Sequence, residues 1–420
     1  MNVKRVVVTG MEVITPLGIG LKSCWDNLKN GVSGIKKISF FDPKNHKCQI
    51  AGECRDFKAE DFLDPKFIRR YDRMFHLFVS VTLLTAENWN FKKDLVKNPF
   101  RFSVIGASAL GAPSTFEEII LQYLNFGPKK VSPMAVINLS ANTAAGEVAR
   151  IFNAKGPQYF LQEACSAGTK ALGLAYELIK NDVIDIAFVI GADSGIRPAV
   201  MASLENLGAI VDAKWNETPE KASRPFDKLR SGFVPAEGSG CVILESLENA
   251  LNNGRTPLAE IIGFGATCDA YHPTAPEPST QSIIECIKMA LKSAKIKPEA
   301  IDYINAHGTG TLLNDVAETK AIKEVFGEYA YKIPISANKS MIGHTWGAAG
   351  IIETIFSIKT ILEETIPPTI NLEYPDPECD LYYVPQKAIK KKVKTVLKNS
   401  FGFGGINACL ILKAWEGGEK

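Results

Sequence analysis

The stretch from Glu163 to Ser194 constrains the fold of this chain more than any other, because it predicts a turn, a helix and a strand in unbroken succession. The aromatic and apolar run GPQYFLQ at 156–162 precedes it and indicates a further short strand. After Cys165, apolar residues recur at helical spacing from Ala171 to Ile179. This order predicts an α/β protein in which Cys165 lies where a strand gives way to a helix.

The position of Cys165 favours nucleophilic chemistry. The first turn of a helix carries unpaired N–H groups and the positive end of the helix dipole, which stabilise a thiolate. The small residues Ala164, Ser166, Ala167 and Gly168 leave space for a carbonyl group and for backbone N–H donors around it. The segment by itself fits a buried structural cysteine better than a nucleophile, since free cysteine is among the most buried residue types.

The length of 420 residues predicts one large or two similar domains. Strand and helix patterns alternate in 1–255 and start again in 256–420. The segment GSGCVILES near the end of the first half resembles GGINACLILKA at the end of the second. We therefore expect two related halves, the first carrying Cys165.

Charge and cysteine usage exclude several classes of protein. A net charge of +2 argues against nucleic-acid binding. No apolar run approaches the roughly 18 residues of a membrane helix. Nine cysteines without CxxC spacing fit reduced thiols better than a disulfide framework or a zinc site. These features predict a cytoplasmic protein.

Two of the five histidines lie in glycine-rich loops that follow apolar strands. His307 stands in YINAHGTGT and His344 in ISANKSMIGHTWGAAG, five residues after Lys339. Loops of this kind place polar side chains at the end of a sheet, where α/β proteins build their sites. Each histidine alone is typical of an ordinary loop, whereas the pair together with Cys165 indicates a catalytic site. Neither loop has the HxxxH or CxxC spacing of a metal site.

The sequence resembles the β-ketoacyl-acyl-carrier-protein synthases, above all the elongating type of bacterial fatty-acid synthesis. The shared motifs span nearly the whole chain: RVVVTG, ACSAG around Cys165, RPFDKLRSGFVPAEGSG, DAYHPTAP, NAHGTGT, NKSMIGH with GAAG, and NSFGFGGIN. The resemblance implies an α/β protein with a thiolase-like fold, whose two duplicated halves form a layered α-β-α-β-α core. It also implies that no metal or other cofactor is needed.

The resemblance implies a role for each of the three central residues. Cys165 is expected to take the acyl group from a carrier-protein thioester. His307 and His344 are expected to donate hydrogen bonds to the enolate that develops when a bound malonyl thioester loses carbon dioxide. The net reaction is a decarboxylative Claisen condensation that lengthens an acyl chain by two carbons.

Further residues match supporting positions of the family. Lys339 matches a lysine close to the second histidine, and Glu318 and Glu353 match acidic residues that support the histidine network. The backbone N–H groups of Cys165 and Phe403 are expected to form the oxyanion hole, and Phe403 to gate entry of the second substrate.

The partner that the resemblance implies is an acidic acyl carrier protein. Exposed basic residues are expected to bind it, namely Lys66, Arg69, Arg70, Lys129 and Lys130. The resemblance also implies a homodimer in which the central strands pair across the interface.

Several residues depart from the family pattern close to the site. Glu163 stands two residues before the nucleophile, where a buried carboxylate disfavours a thiolate unless it is paired or protonated. Asn338 replaces a hydroxyl residue, and Trp346 a smaller side chain. Ala109, which is expected to line the acyl pocket with Phe403, replaces a larger aliphatic residue. These changes predict either a larger acyl pocket or a pocket whose extra space is filled by a neighbouring side chain. They also predict a variant that serves a specialised lipid or polyketide-like pathway.

Two other functions compete with the condensing enzyme. A non-condensing partner subunit of a synthase heterodimer usually lacks the cysteine, which this chain retains. A thiolase acting on coenzyme A expects a second reactive cysteine late in the chain, and neither Cys379 nor Cys409 lies in a fitting loop.

Overall fold

A mixed β-sheet of eleven strands runs through the protein in the computed structural model, which describes residues 3–417. The strands of the chain are β1 (Val6–Thr15), β2 (Gly18–Ile19), β3 (Ile35–Lys37), β4 (Ile50–Gly52), β5 (Phe102–Ala107), β6 (Tyr159–Leu161), β7 (Ile186–Asp193), β8 (Gly238–Ser246), β9 (Ala259–Cys268), β10 (Tyr303–Asn305), β11 (Ile335–Ser336), β12 (Thr365–Ile366), β13 (Ile389–Lys390), β14 (Thr395–Gly402) and β15 (Ile406–Ala414). Strands β3 with β4 and β12 with β13 form two small separate ribbons.

Helices cover both faces of the large sheet. They are α1 (Leu21–Lys29), α2 (Pro65–Arg70), α3 (Arg73–Asn88), α4 (Pro113–Phe126), α5 (Ala135–Leu139), α6 (Asn142–Phe152), α7 (Ala167–Lys180), α8 (Pro198–Leu207), α9 (Leu247–Asn252), α10 (Gln281–Ala294), α11 (Leu312–Phe326), α12 (Lys339–Ile342) and α13 (Ala349–Glu363). Within residues 3–417, none of them combines the length and the apolar character needed to cross a bilayer.

The strand order is the same in the two halves of the sheet when each half is counted from its own outer edge. One half has the order β6-β5-β7-β8-β1 and the other β11-β10-β14-β15-β9. In each half the first three strands are parallel and the last two pairings are antiparallel. Strands β1 and β9 join the halves at the centre, with Val6 opposite Ile261. On this matching order we propose that 1–255 and 256–420 are duplicated halves.

Two central helices, α7 and α13, lie between the two halves of the sheet, and each contacts strands of both. Helices α3 and α6 cover the outer face of the first half, while α10 and α11 cover the second. The result is the layered α-β-α-β-α arrangement that the sequence predicts.

The two central helices approach each other closely because glycines line their contact. A Cβ atom on Gly168 of α7 would lie 2.6 Å from the carbonyl oxygen of Gly347, just before α13. A Cβ on Gly350 would lie 2.4 Å from the backbone nitrogen of Thr169. Any larger side chain at either position would push apart the helices that carry the predicted catalytic residues.

Candidate active site

Four loops meet at one cavity of about 320 Å³. Cys165 enters it from the turn between β6 and α7, and His307 from the loop after β10. His344 follows α12, and Phe403 belongs to the hairpin between β14 and β15. The structure therefore brings together the nucleophile, both histidines and the gating phenylalanine predicted from the sequence. Residues as distant as 165 and 403 meet because both halves of the sheet present loops to the same cleft.

Cys165 lies in a tight turn that is held in a strained conformation. Ala164, immediately before it, has φ 47°, a left-handed value that alanine seldom adopts. The hydroxyl group of Ser166 donates a hydrogen bond to the carbonyl oxygen of Glu163 at 2.9 Å and closes the turn. The turn directs the Cys165 side chain into the cavity.

Burial raises the pKa of the Cys165 thiol to about 11. The charge of Lys339 and the backbone N–H of Phe403 act in the opposite direction, since both favour the thiolate. In the free protein, desolvation thus outweighs the preference for a thiolate that the start of the helix provides. The backbone N–H of Phe403 lowers the pKa of this thiol, so that donor faces the sulfur from the side where an oxyanion hole is needed.

His344 is held as one tautomer. Its Nδ1 accepts a hydrogen bond from the backbone N–H of Trp346 at 3.1 Å, so its proton must be on Nε2. Nε2 is buried and has no hydrogen-bond partner among the residues that the structure describes. Burial, together with the charge of Lys339, lowers the pKa of His344 well below its usual value. The ring is thus a neutral donor with an unused N–H.

His307 is held through its backbone and its ring. Its backbone N–H and that of Gly308 each donate to Glu318 at 2.9 Å, and the Asn399 amide donates to the same carboxylate at 3.0 Å. Glu318 therefore clamps the loop and does not contact the imidazole. The ammonium group of Lys339 lies 2.7 Å from the His307 carbonyl oxygen and 3.4 Å from its Nδ1.

The two imidazoles form a matched pair of neutral groups. With Nδ1 of His307 facing an ammonium group, its proton is on Nε2, as in His344. Burial and the charge of Lys339 lower the pKa of His307 well below its usual value. The rings stand 5.6 Å apart and nearly perpendicular, at 82°. Two such N–H donors stabilise an oxyanion that forms between them.

Behind the histidines lies a buried charge cluster in which Glu353 takes a central position. Its Oε1 lies 2.5 Å from Nζ of Lys339, and its Oε2 lies 2.9 Å from Nζ of Lys398. All three side chains are at most 1% exposed. The sequence interpretation missed Lys398, although a lysine inside the apolar strand TVLKNSF was a signal that could have found it.

Asp193 is a second missed residue, and it fastens the loop after β5 to the start of α13. Its carboxylate accepts hydrogen bonds from the Ser108 hydroxyl at 2.6 Å, from the Ala109 N–H at 2.9 Å and from the Gly347 N–H at 2.8 Å. Burial raises its pKa to about 6. An acidic residue directly after the apolar strand IAFVIGA was the available signal.

Ala109 does not line the cavity that holds Cys165. It packs with Leu110 and Trp346 in an apolar cluster that adjoins the cavity, since Phe233 and Phe403 belong to both. Trp346 is 4% exposed, with its ring 5.3 Å from that of Phe233. The large indole therefore occupies the region next to the small alanine, which favours the refilled pocket over the roomier one.

The other two departures also have partners in the structure. Glu163 is 29% exposed and forms an ion pair with Lys170 in the first turns of α7. It is thus paired and partly solvated, not a buried lone carboxylate, so its penalty on the nucleophile is relieved. Asn338 is buried and accepts a hydrogen bond from the Asn305 amide at 2.7 Å.

The predicted carrier-protein residues are all exposed. Lys66, Arg69 and Arg70 belong to α2, while Lys129 and Lys130 follow α4. A groove of about 440 Å³ between α2, α4 and α5 is lined by Arg69, Arg70 and the Ser132 that follows the two lysines. Of the five predicted residues, only Arg69 and Arg70 line this groove, while Lys129 and Lys130 lie two to three residues before Ser132 in the sequence. Within the described residues no group of three His, Cys, Asp or Glu side chains has the arrangement of a metal site.

Comparison with known sequences connects this geometry to a family. The profile described as Beta-ketoacyl synthase, N-terminal domain, matches residues 3–250, and that of the C-terminal domain matches residues 258–373. A curated protein of Synechocystis sp. named 3-oxoacyl-[acyl-carrier-protein] synthase 2 is 42% identical over 416 residues, which are 98% of this chain and 99% of that protein. A protein of the same name from Coxiella burnetii is 41% identical over 412 residues, with the same coverage.

Solved structures agree with the sequence comparison. A type II polyketide ketosynthase, determined with its acyl carrier protein and a hexaketide, has a TM-score of 0.91 and 34% identity, covering 99% of this chain and 100% of that one. A β-ketoacyl synthase from Burkholderia phymatum has a TM-score of 0.90 and 32% identity, covering 98% and 100% of the two chains.

Proposed function

The chain belongs to the β-ketoacyl synthase family, and on that premise we propose that it condenses a Cys165-bound acyl group with malonyl-acyl carrier protein. The product is a 3-oxoacyl-acyl carrier protein that is longer by two carbons. The observation that carries the proposal is the meeting of Cys165 with two neutral imidazole N–H donors at one cavity. The enzyme is an acyltransferase that forms a carbon–carbon bond.

The first step transfers the acyl group. The Cys165 sulfur attacks the thioester carbonyl, the backbone N–H groups of Cys165 and Phe403 stabilise the tetrahedral oxyanion, and the carrier thiol leaves with the proton. Because the pKa of Cys165 is about 11, the thiol stays protonated until substrate is bound. Proton loss therefore belongs to the step of attack and not to the resting enzyme.

The second step is decarboxylation and carbon–carbon bond formation. The carbon–carbon bond to the malonyl carboxylate breaks and carbon dioxide leaves. The electron pair of that bond remains with the thioester, whose oxygen becomes that of an enolate. The Nε2–H groups of His307 and His344 donate to that oxygen, and each such donor contributes about 10²–10³ in rate in comparable sites. The enolate carbon then attacks the acyl-Cys165 carbonyl, and collapse of the adduct returns the cysteine thiolate, which takes up a proton.

The carrier protein docks, in this proposal, on the basic groove between α2 and α4. An acidic partner gains steering from unpaired surface cations. Arg69 and Arg70 line the groove and have no ion-pair partner among residues 3–417. The positive charges of these two arginines are therefore available to an acidic partner, because no ion pair within the described residues neutralises them.

We also propose a homodimer, built on the outer edge of the first half and not on the central strands, because β1 and β9 at the centre of the sheet already pair within the chain. Strand β6 is paired only with β5 in the described chain, so its other edge is open to a second copy. Helix α4 has no buried residue, yet it presents Phe116, Leu121, Leu124 and Phe126 at exposures of 56–71%. An apolar face of this kind is typical of a surface that a partner covers.

Free cysteines throughout the described residues support a cytoplasmic location.

The experiment that tests the function is intact-protein mass spectrometry. The wild type and Cys165→Ala are incubated with medium-chain acyl carrier protein and then with malonyl carrier protein. We expect only the wild type to gain the acyl mass, and to lose it when a product two carbons longer appears. A wild type that is never acylated by any chain tested would contradict the proposal and favour the non-condensing partner subunit.

The specialised pathway is tested with the same assay. A small Ala109 beside a large Trp346 changes the shape of the apolar cluster around Phe403 without enlarging it, so we propose that acyl chains differing in shape from ordinary saturated ones are preferred. Loading rates for saturated, unsaturated, branched and cyclic acyl groups are compared. A preference for saturated chains would assign the enzyme to ordinary fatty-acid synthesis.

A further inference from the structure

Lys398 is a buried cation that the mechanism above leaves unused. It lies within β14 and its side chain is 0% exposed. Its ammonium group lies 2.9 Å from Oε2 of Glu353, donates to the hydroxyl group of Ser400 at 2.9 Å, and donates to the carbonyl oxygen of Asn399. The ammonium group therefore makes two hydrogen bonds and one ion pair, and the ion pair is the only contact of Oε2 of Glu353 with a cation among the described residues.

Glu353 explains why a second cation is present. Its Oε1 already accepts from Lys339, which also donates to the carbonyl oxygen of His307. Without Lys398, the other carboxylate oxygen would be buried and uncompensated, which is strongly unfavourable. Glu353 would then relieve the cost by drawing Lys339 toward both of its oxygens and away from His307.

The residues on either side of Lys398 reach the two catalytic loops. Asn399 donates to Glu318, the carboxylate that clamps the His307 loop, at 3.0 Å. The Ser400 hydroxyl lies 2.7 Å from that of Thr169, one turn beyond Cys165 on α7. Lys398 itself donates to the Asn399 carbonyl oxygen and to the Ser400 hydroxyl, but Glu353 is its one ion-pair partner among the described residues.

We propose that Lys398 is a positioning residue for decarboxylation, which holds Glu353, and through it Lys339, where Lys339 orients the His307 imidazole. The proposal rests on the condensing function proposed above. It predicts that the charge of Lys398 matters for the step that uses the histidines, and far less for acyl loading of Cys165.

The test is a double-mutant cycle between Lys398 and Glu353. Lys398→Met, Glu353→Gln and the double variant are compared with the wild type, and Lys413→Met, an exposed lysine on the neighbouring strand β15, is the matched control. Two half-reactions are followed separately: acyl loading of Cys165 by intact mass, and carbon dioxide release from malonyl carrier protein. Thermal melting verifies that each variant is folded.

We expect Lys398→Met to lower kcat of decarboxylation by about tenfold or more, while KM and acyl loading change by less than about twofold. In the Glu353→Gln background, where no carboxylate needs compensation, the same change should cost less than about threefold. Lys413→Met should behave as the wild type. Should Lys398→Met melt below the assay temperature, Lys398→Gln, which keeps a neutral donor, is judged by the same criteria.

Three results would overturn the proposal: wild-type decarboxylation in Lys398→Met, proportional loss of both half-reactions, or an equal loss in both backgrounds. The last two would reduce Lys398 to a structural residue. A wild type that neither loads acyl groups nor releases carbon dioxide would instead refute the proposed function itself.

Discussion

Replacing Gly168 by alanine should separate the two central helices and misplace the nucleophile. The new Cβ would lie 2.6 Å from the Gly347 carbonyl oxygen and 3.0 Å from the backbone nitrogen of Ile351. Both neighbours are backbone atoms that cannot swing aside. Helix α7 must therefore move by roughly 0.5–1 Å to reach normal van der Waals separation, which is the regime of an overpacked core.

The energetic effect combines two opposing contributions. Overpacking of this kind costs about 1–3 kcal/mol, whereas replacing a helical glycine by alanine gains about 0.5–1 kcal/mol. The free energy of unfolding should therefore fall by up to about 2.5 kcal/mol. Activity should fall further, because Cys165 lies three residues earlier and a shift of about 1 Å at a reacting atom costs on the order of 100-fold in rate.

The matched control is Gly146→Ala in helix α6. The nearest atom to its new Cβ is the Gln158 amide at 3.8 Å, so there is no clash and only the gain in helix propensity remains. Urea unfolding and the condensation rate are measured for both variants. A Gly168→Ala protein as stable and as active as Gly146→Ala would refute the argument that close contact of α7 with α13 positions Cys165.

Three further predictions concern the histidines and the basic groove. His344→Ala removes one enolate donor, so decarboxylation should slow by about 10²–10³ while acyl loading of Cys165 persists, and a parallel loss of loading would contradict the assigned role. Burial lowers the pKa of His307 and His344 in the folded protein, so only the unfolded chain takes up protons on these residues as pH falls below about 6.5. The free energy of unfolding should therefore decrease by about 1.4 kcal/mol per pH unit for each histidine. Urea titrations from pH 7.5 to 5 measure this slope. In a His344→Gln variant the slope should be smaller by the contribution of one histidine. Arg69→Glu should raise KM for the acyl carrier protein by about tenfold at low salt and less at high salt, whereas Lys22→Glu on helix α1 should leave KM unchanged.

Two of the helices that the sequence interpretation did not identify have misleading periodicity, because α11 buries polar residues and α4 exposes apolar ones. Helix α11 buries Asp315, Glu318 and Thr319, which hydrogen-bond to Phe226, to the His307 loop and to Tyr383, respectively. Its apolar periodicity is correspondingly weak. The pattern of helix α4 is misleading for the opposite reason, since its leucines and phenylalanines face outward from the chain. Periodicity reports burial within one chain only when that chain buries the apolar face itself.

The sequence by itself determined the α/β class, the strand-to-helix setting of Cys165 and the glycine-rich loops of His307 and His344, because these depend on local periodicity and on short motifs. Only the tertiary structure decided how those residues behave. Burial leaves Cys165 a thiol, fixes both imidazoles as neutral donors, and gives Glu353 two lysines rather than one. It also pairs Glu163 with Lys170 and so removes the objection to the nucleophile. Protonation depends on solvent exposure and on charges brought close from distant parts of the chain, and neither quantity exists until the chain has folded.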